Sequence, residues 1–126
     1  MIMYNGLTLA YLGDAVYELY VREHLLNKGY TKVNDLHENA IQYTSAVGQS
    51  TALKALSGVL NSHEVRIIKR GRNQNATHKP KNAGANTYAR ATGFEALIGY
   101  LYLDGEKERI NKLMNIVFSA IDEQVS

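Results

Sequence analysis

The 126-residue chain carries 14 Lys and Arg against 12 Asp and Glu, and is 45% apolar and 21% charged. That balance fits one globular domain, over residues 1–126, with a single core. It has no cysteine, which excludes disulfides, thiolate nucleophiles and zinc–thiolate centres and fits a reducing cytoplasm. No apolar run approaches the roughly 18 residues of a membrane-spanning helix. The first residues lack the pattern of a secretory signal, so the expectation is a cytoplasmic protein with no membrane association.

A lone proline at 80 and few β-branched clusters favour helices throughout. The first helix is predicted from about Gly6 to Lys28, closed by Gly29 in the left-handed position that glycine tolerates. Leu9, Leu12, Val16, Leu19 and Leu26 follow helical spacing and are expected to form its core stripe. Leu7, Tyr11, Val21 and Leu25 share the other side with Asp14 and Glu18. A helix apolar on two sides is buried on two sides, and the second side is expected to meet another subunit. A second helical region should start near Asn34 or Asp35, where Asp35 and Glu38 have capping-box spacing. It should run to about Leu60, in two pieces around Gly48. Ser62 is a candidate cap for a short helix ending near Arg70. Gly71 to Asn86, with four Asn and Pro80, reads as an exposed loop. Apolar residues at 94, 97, 98 and 101 predict a helix over Thr87 to Leu103, stopped by Asp104-Gly105. Ile110, Leu113, Val117 and Ile121 predict a last helix over Glu106 to Glu123. The fold class is all-α.

Two acids stand in the middle of these apolar helices. Asp14 follows Gly13, and both are poor helix-interior residues. Ala91, Glu95 and Gly99 repeat at four-residue intervals on another helix. Small residues beside a carboxylate let a second backbone approach closely, so the two helices are expected to meet at Gly13 and Gly99 and bring Asp14 to Glu95. Two carboxylates in a dry site call for a cation. Hard oxygen ligands suit Mg²⁺, which takes one or two carboxylates and keeps several waters. His24, His37, His63 and His78 share no helical spacing, which argues against a histidine metal site. On spacing alone the competing reading, two capped or salt-bridged structural acids, stays open.

Charge is distributed unevenly. Arg66, Lys69, Arg70, Arg72, Lys79, Lys81 and Arg90 fall in 25 residues that contain no acid, a +7 segment on a body of −5. Such a segment calls for an anionic partner. Duplex RNA is recognised by shape, through phosphates and 2′-hydroxyls, which Lys, Arg and Asn can contact.

Asn5-Gly6-Leu7-Thr8-Leu9-Ala10-Tyr11-Leu12-Gly13-Asp14-Ala15-Val16-Tyr17-Glu18 resembles the signature helix of ribonuclease III domains. Phe94-Glu95-Ala96-Leu97-Ile98-Gly99-Tyr100-Leu101-Tyr102-Leu103-Asp104-Gly105 resembles the second acidic motif of that family. Full-length members have acidic residues where Leu7, Ala10 and Thr92 stand, and carry a further domain for double-stranded RNA. The pattern, with Asn34-Asp35-Leu36-His37, Arg70-Gly71-Arg72-Asn73 and Pro80-Lys81-Asn82, is similar to the Mini-ribonuclease III branch, which is the catalytic domain alone. The resemblance implies a helical bundle acting as a homodimer. It implies an Mg²⁺-dependent endoribonuclease that cuts double-stranded RNA to 5′-phosphate products, in maturation of 23S ribosomal RNA precursor. Asp14 and Glu95 would be catalytic and metal-binding, with Lys69, Arg70, Arg72, Lys79, Lys81 and Arg90 on RNA and ribosomal proteins as candidate partners. The alternative is a non-catalytic RNA-binding or ribosome-associated protein on the same fold.

Overall fold

The most apolar stretch of the chain becomes the centre of the fold. A computed structural model describes residues 4–74 and 84–125. Among these the chain forms six helices and no strand: α1 (Gly6–Asn27), α2 (Val33–Thr44), α3 (Ala46–Ala55), α4 (Ser62–Gln74), α5 (Ala85–Leu103) and α6 (Lys107–Val125). α5 packs against α1, α3, α4 and α6. Ten of its residues are buried, from Ala91 through Phe94 and Leu97 to Leu101. A helix surrounded on all sides has no polar face to show, which explains its lack of amphipathic contrast.

Helix ends follow local chemistry. The Asn5 side chain accepts from Thr8 N at 2.8 Å and starts α1. Gly29 and Gly105 adopt φ of +102° and +73°. Behind them Tyr30 N bonds Leu25 O, and Glu106 N bonds Leu101 O, the pairing that closes a helix on a left-handed glycine. At α4 the cap is Asn61, not Ser62. Its Oδ1 accepts from Glu64 N while Glu64 Oε1 accepts from Asn61 N. The Glu64 carboxylate also receives two nitrogens of Arg109, at 2.9 and 2.7 Å, which fastens α4 to α6.

Four sequence expectations need correction. Asp35 and Glu38 form no capping box: α2 begins at Val33, after Lys32, which makes no side-chain cap. The break in the second region falls at Ser45, whose hydroxyl accepts from Gly48 N and caps α3. Gly48 lies inside α3, where a Cβ would overlap the carbonyl oxygen of Gln42. α4 continues through Gly71 and Arg72, because Gly71 packs on Gly93 and Ala96 of α5. α5 likewise starts at Ala85, which shortens the expected loop at both ends. His78, Lys79, Pro80 and Lys81 lie outside the described residues.

The expected stripe of α1 is also misphased. Leu9 and Val16 are buried, but Leu19 is 68% and Leu26 55% exposed. On the other side Val21 and Leu25 are buried while Tyr11 is 84% exposed. The true core face is Leu9, Ala10, Gly13, Val16, Tyr17, Val21 and Leu25, set by contact with α5 instead of by the highest leucine density. Tyr43 and Lys28 then share Asp122 with His24, whose Nε2 lies 2.9 Å from it, tying α1 and α2 to the end of α6.

Candidate active site

Two glycines set the distance between α1 and α5. A Cβ on Gly13 would overlap the carbonyl oxygen of Glu95 and stand 2.8 Å from Gly99 N. A Cβ on Gly99 would overlap the carbonyl oxygen of Leu9. The helices therefore touch backbone to backbone where the sequence pattern placed the contact. Asp14 follows Gly13 on α1, and Glu95 lies one turn before Gly99 on α5, so the two carboxyls meet.

Their environments differ. Asp14 is exposed and Glu95 half-buried, so the centre opens to solvent on the Asp14 side and is not uniformly dry. Burial first, then hydrogen bonding to Asp14 and the charge of Asp14, push the Glu95 carboxyl up to about 8 against the opposing effect of the Gln49 amide. Near neutral pH these effects favour the protonated form of Glu95 when no cation is present. The Tyr17 phenol, one turn beyond Asp14, donates to Tyr43 O at 2.9 Å. Burial raises its proton affinity, with added contributions from Tyr43 and Glu95, so it stays neutral beside the acids.

Gln49 is the site residue the sequence reading missed. It is 2% exposed, and its Nε2 reaches Thr44 O at 3.1 Å and Glu95 Oε2 at 3.2 Å. Its Oε1 is buried with no hydrogen-bond partner among the described residues. The signal was present: Gln49, Ala52 and the C-cap residue Leu56 follow one face of α3 at spacings of three and four, and the latter two are fully buried. An amide on a core face is a polar residue where packing asks for an apolar one.

The other acids stand apart from this pair. Glu18 is taken by Arg22 at 3.2 Å on the surface of α1. Glu38 and Asp104 are exposed. Among the described residues no three His, Asp or Glu side chains gather as a metal cluster. Two carboxylates without imidazole fit a hard cation that retains most of its water shell and leaves positions for a substrate's oxygens.

The basic residues divide into three groups. Arg66 and Lys69 are exposed on α4, as is Arg72, whose Cγ lies by Gly93. Arg70 is half-buried and donates to Tyr4 O at 3.0 Å, so it fastens the N-terminal segment. Arg90 is half-buried in the second turn of α5. Lys79 and Lys81 are outside the described residues.

Comparison with known proteins shows the family and the fold. Residues 7–106 match the model of the ribonuclease III domain. A Mini-ribonuclease 3 of Symbiobacterium thermophilum is 47% identical over 92% of this chain and 89% of its own length. Another, of Desulfitobacterium hafniense, is 53% identical over 84% of this chain and 67% of that protein. The crystal structure of protein FN1578 from Fusobacterium nucleatum superposes with a TM-score of 0.81 at 35% identity, covering 92% of this chain and 93% of that one.

Proposed function

Since this chain belongs to the ribonuclease III family, and within it to the Mini-ribonuclease 3 group of endoribonucleases, we propose that it cleaves double-stranded RNA with Mg²⁺ held by Asp14 and Glu95. The observation that carries this reading is the meeting of those carboxyls where α1 and α5 touch at Gly13 and Gly99. The chemistry such an ion supplies is polarisation of the phosphodiester and acidification of a bound water. The protein's own part is to hold the two carboxyls at a fixed separation. The elevated Glu95 also keeps a proton on the pair until a cation takes its place. Attack by water on the phosphorus with departure of the 3′ oxygen, which takes up a proton, would leave 5′-phosphate and 3′-hydroxyl ends.

RNA would be held by Arg66, Lys69 and Arg72 on α4, with Arg90 and with Lys79 and Lys81. These side chains contact phosphates without reading bases, which suits a duplex recognised by its shape. Arg70 contributes charge to the same surface while its guanidinium stays bonded to Tyr4. The substrate we infer is the large-subunit ribosomal RNA precursor in the cytoplasm, with ribosomal proteins nearby. No helix among the described residues is long and apolar enough to cross a membrane.

The protein would act as a C2 homodimer, giving two equivalent centres to the two strands of a duplex. Leu12, Leu19 and Ala15 line a groove of about 660 Å³ with Tyr102 and Ile110. Together with exposed Tyr11 and Leu26, this is more apolar surface than a solitary helix face needs to show. A second copy would cover it.

The test is cleavage of a labelled RNA duplex with and without Mg²⁺, beside Asp14→Asn. We expect metal-dependent cleavage by the wild type and a loss beyond about 100-fold in the variant. Tight binding without cleavage by either protein would establish a non-catalytic RNA-binding protein instead.

A further inference from the structure

Gln49 is held in a way that its packing does not require. Its amide nitrogen faces two acceptors, Thr44 O and Glu95 Oε2. Turning the amide over would set its oxygen against both, so the orientation is fixed by the network. The consequence is that Oε1 points the other way, buried and unpaired among the described residues. A buried acceptor left without a donor destabilises a fold. An apolar side chain of the same length would avoid that loss, at the expense of the donor to Thr44 O and Glu95 Oε2.

The surroundings show how much structure is devoted to placing this amide. Ser45 ends α2 and caps α3. The missing side chain of Gly48 lets the first turn of α3 press on the last turn of α2, over the carbonyls of Gln42 and Tyr43. The next residue is Gln49. The α2–α3 corner thus delivers one neutral donor to one carboxylate oxygen of the acidic pair.

We propose that Gln49 is a positioning residue for Glu95, retained despite its buried unpaired oxygen because its amide holds Oε2 and leaves the remaining carboxylate oxygen for the metal. A neutral donor suits this place, since it orients the acid without adding a third negative charge next to Asp14. With Asp14 and Glu95 ionised, the site then carries two negative charges, which one divalent cation balances. This rests on the metal-binding reading of the pair above. It goes beyond that reading in naming what fixes the rotamer of Glu95.

The experiment replaces Gln49 by Met, which matches its length and lacks both hydrogen-bonding groups. Three quantities are measured on the full chain: thermal midpoint without metal, binding of Mg²⁺ alone by calorimetry, and kcat and KM on duplex RNA. We expect the midpoint of Q49M to stay close to that of the wild type, because removal of the unpaired oxygen offsets the two lost hydrogen bonds. Mg²⁺ should bind about tenfold more weakly or worse, and kcat should fall with KM for RNA little changed. Unaltered Mg²⁺ affinity and kcat, at whatever midpoint, would overturn the proposal and leave Gln49 a packing residue. Gln49→Asn, which keeps an amide too short to span Thr44 and Glu95, supplies the same comparison should Q49M fold poorly, and wild-type metal binding and kcat there would count equally against it. If the wild type itself binds no Mg²⁺, the reading of Asp14 and Glu95 fails, a result distinguishable from failure of Gln49 alone.

Discussion

The acidic centre and the basic surface are built to different tolerances. Asp14 and Glu95 meet because two glycines remove every atom between two helix backbones. An amide from a third helix then holds one oxygen of Glu95. Arg66 and Lys69 stand on the exposed side of α4, with no such fastening by hydrogen bonds or ion pairs among the described residues. Metal chemistry depends on ligand positions to within a fraction of an ångström. Phosphate binding depends mainly on charge density and tolerates flexible stems. One region is therefore encoded in spacing and the other in composition.

The contrast is tested hardest at the glycines. Gly99→Ala places a methyl group into the Leu9 carbonyl, and backbone on both sides has no side-chain rotamer with which to yield. We expect a loss of about 3 kcal/mol or more in urea unfolding, with cleavage lost in whatever fraction folds. A midpoint equal to the wild type would show that the helices have room to part and that the acids are not so precisely set.

A smaller effect concerns pH. The folded state holds the Glu95 proton up to about 8, against an ordinary value of 4.5. A group whose proton affinity rises on folding stabilises the protein below its unfolded value, and that contribution is lost as pH climbs through the folded one. Without metal, the thermal midpoint should decline between pH 5 and pH 9. Glu95→Gln should flatten that decline, and thermal scans of both proteins across the range provide the check. Parallel curves would mean that Glu95 is as well solvated as a surface acid.

The smallest expected change belongs to the basic side. Replacing Arg66 and Lys69 by Gln should leave stability and kcat nearly untouched. Each lost phosphate contact should lower the slope of log affinity against log salt by about one. Lys79→Gln and Lys81→Gln should act in the same way. An unchanged slope would remove those residues from the RNA surface.

What could be read from the sequence follows the same division. The Gly13–Gly99 contact was legible because small residues next to an acid, or one turn from it, have few other uses inside a helix. Gly29 and Gly105 were legible because few residues besides glycine adopt their φ at a helix end. Asn61 was hidden by Ser62, an equally good cap one position later. Ser45 was hidden by Gly48, which looks like a breaker but serves as a contact. The leucines of α1 misled for a different reason. An apolar face has the same periodicity whether a core or a partner covers it, so Leu19 and Leu26 read as core although they are exposed. Gln49 was overlooked because its meaning depends on Glu95, 46 residues away, and only the fold brings them together.

The small residues of α5 carry one more consequence. Gly99 seats α1 on one side of this helix, while Gly93 receives Arg72 and Ile68 of α4 on another. α5 is thus gripped at near-backbone distance by the helix that supplies Asp14 and by the helix that supplies Arg66 and Lys69. It works as a gauge block between the two. On the proposed reading, the separation between the phosphate-binding side chains of α4 and the acidic pair is therefore set by the width of one helix.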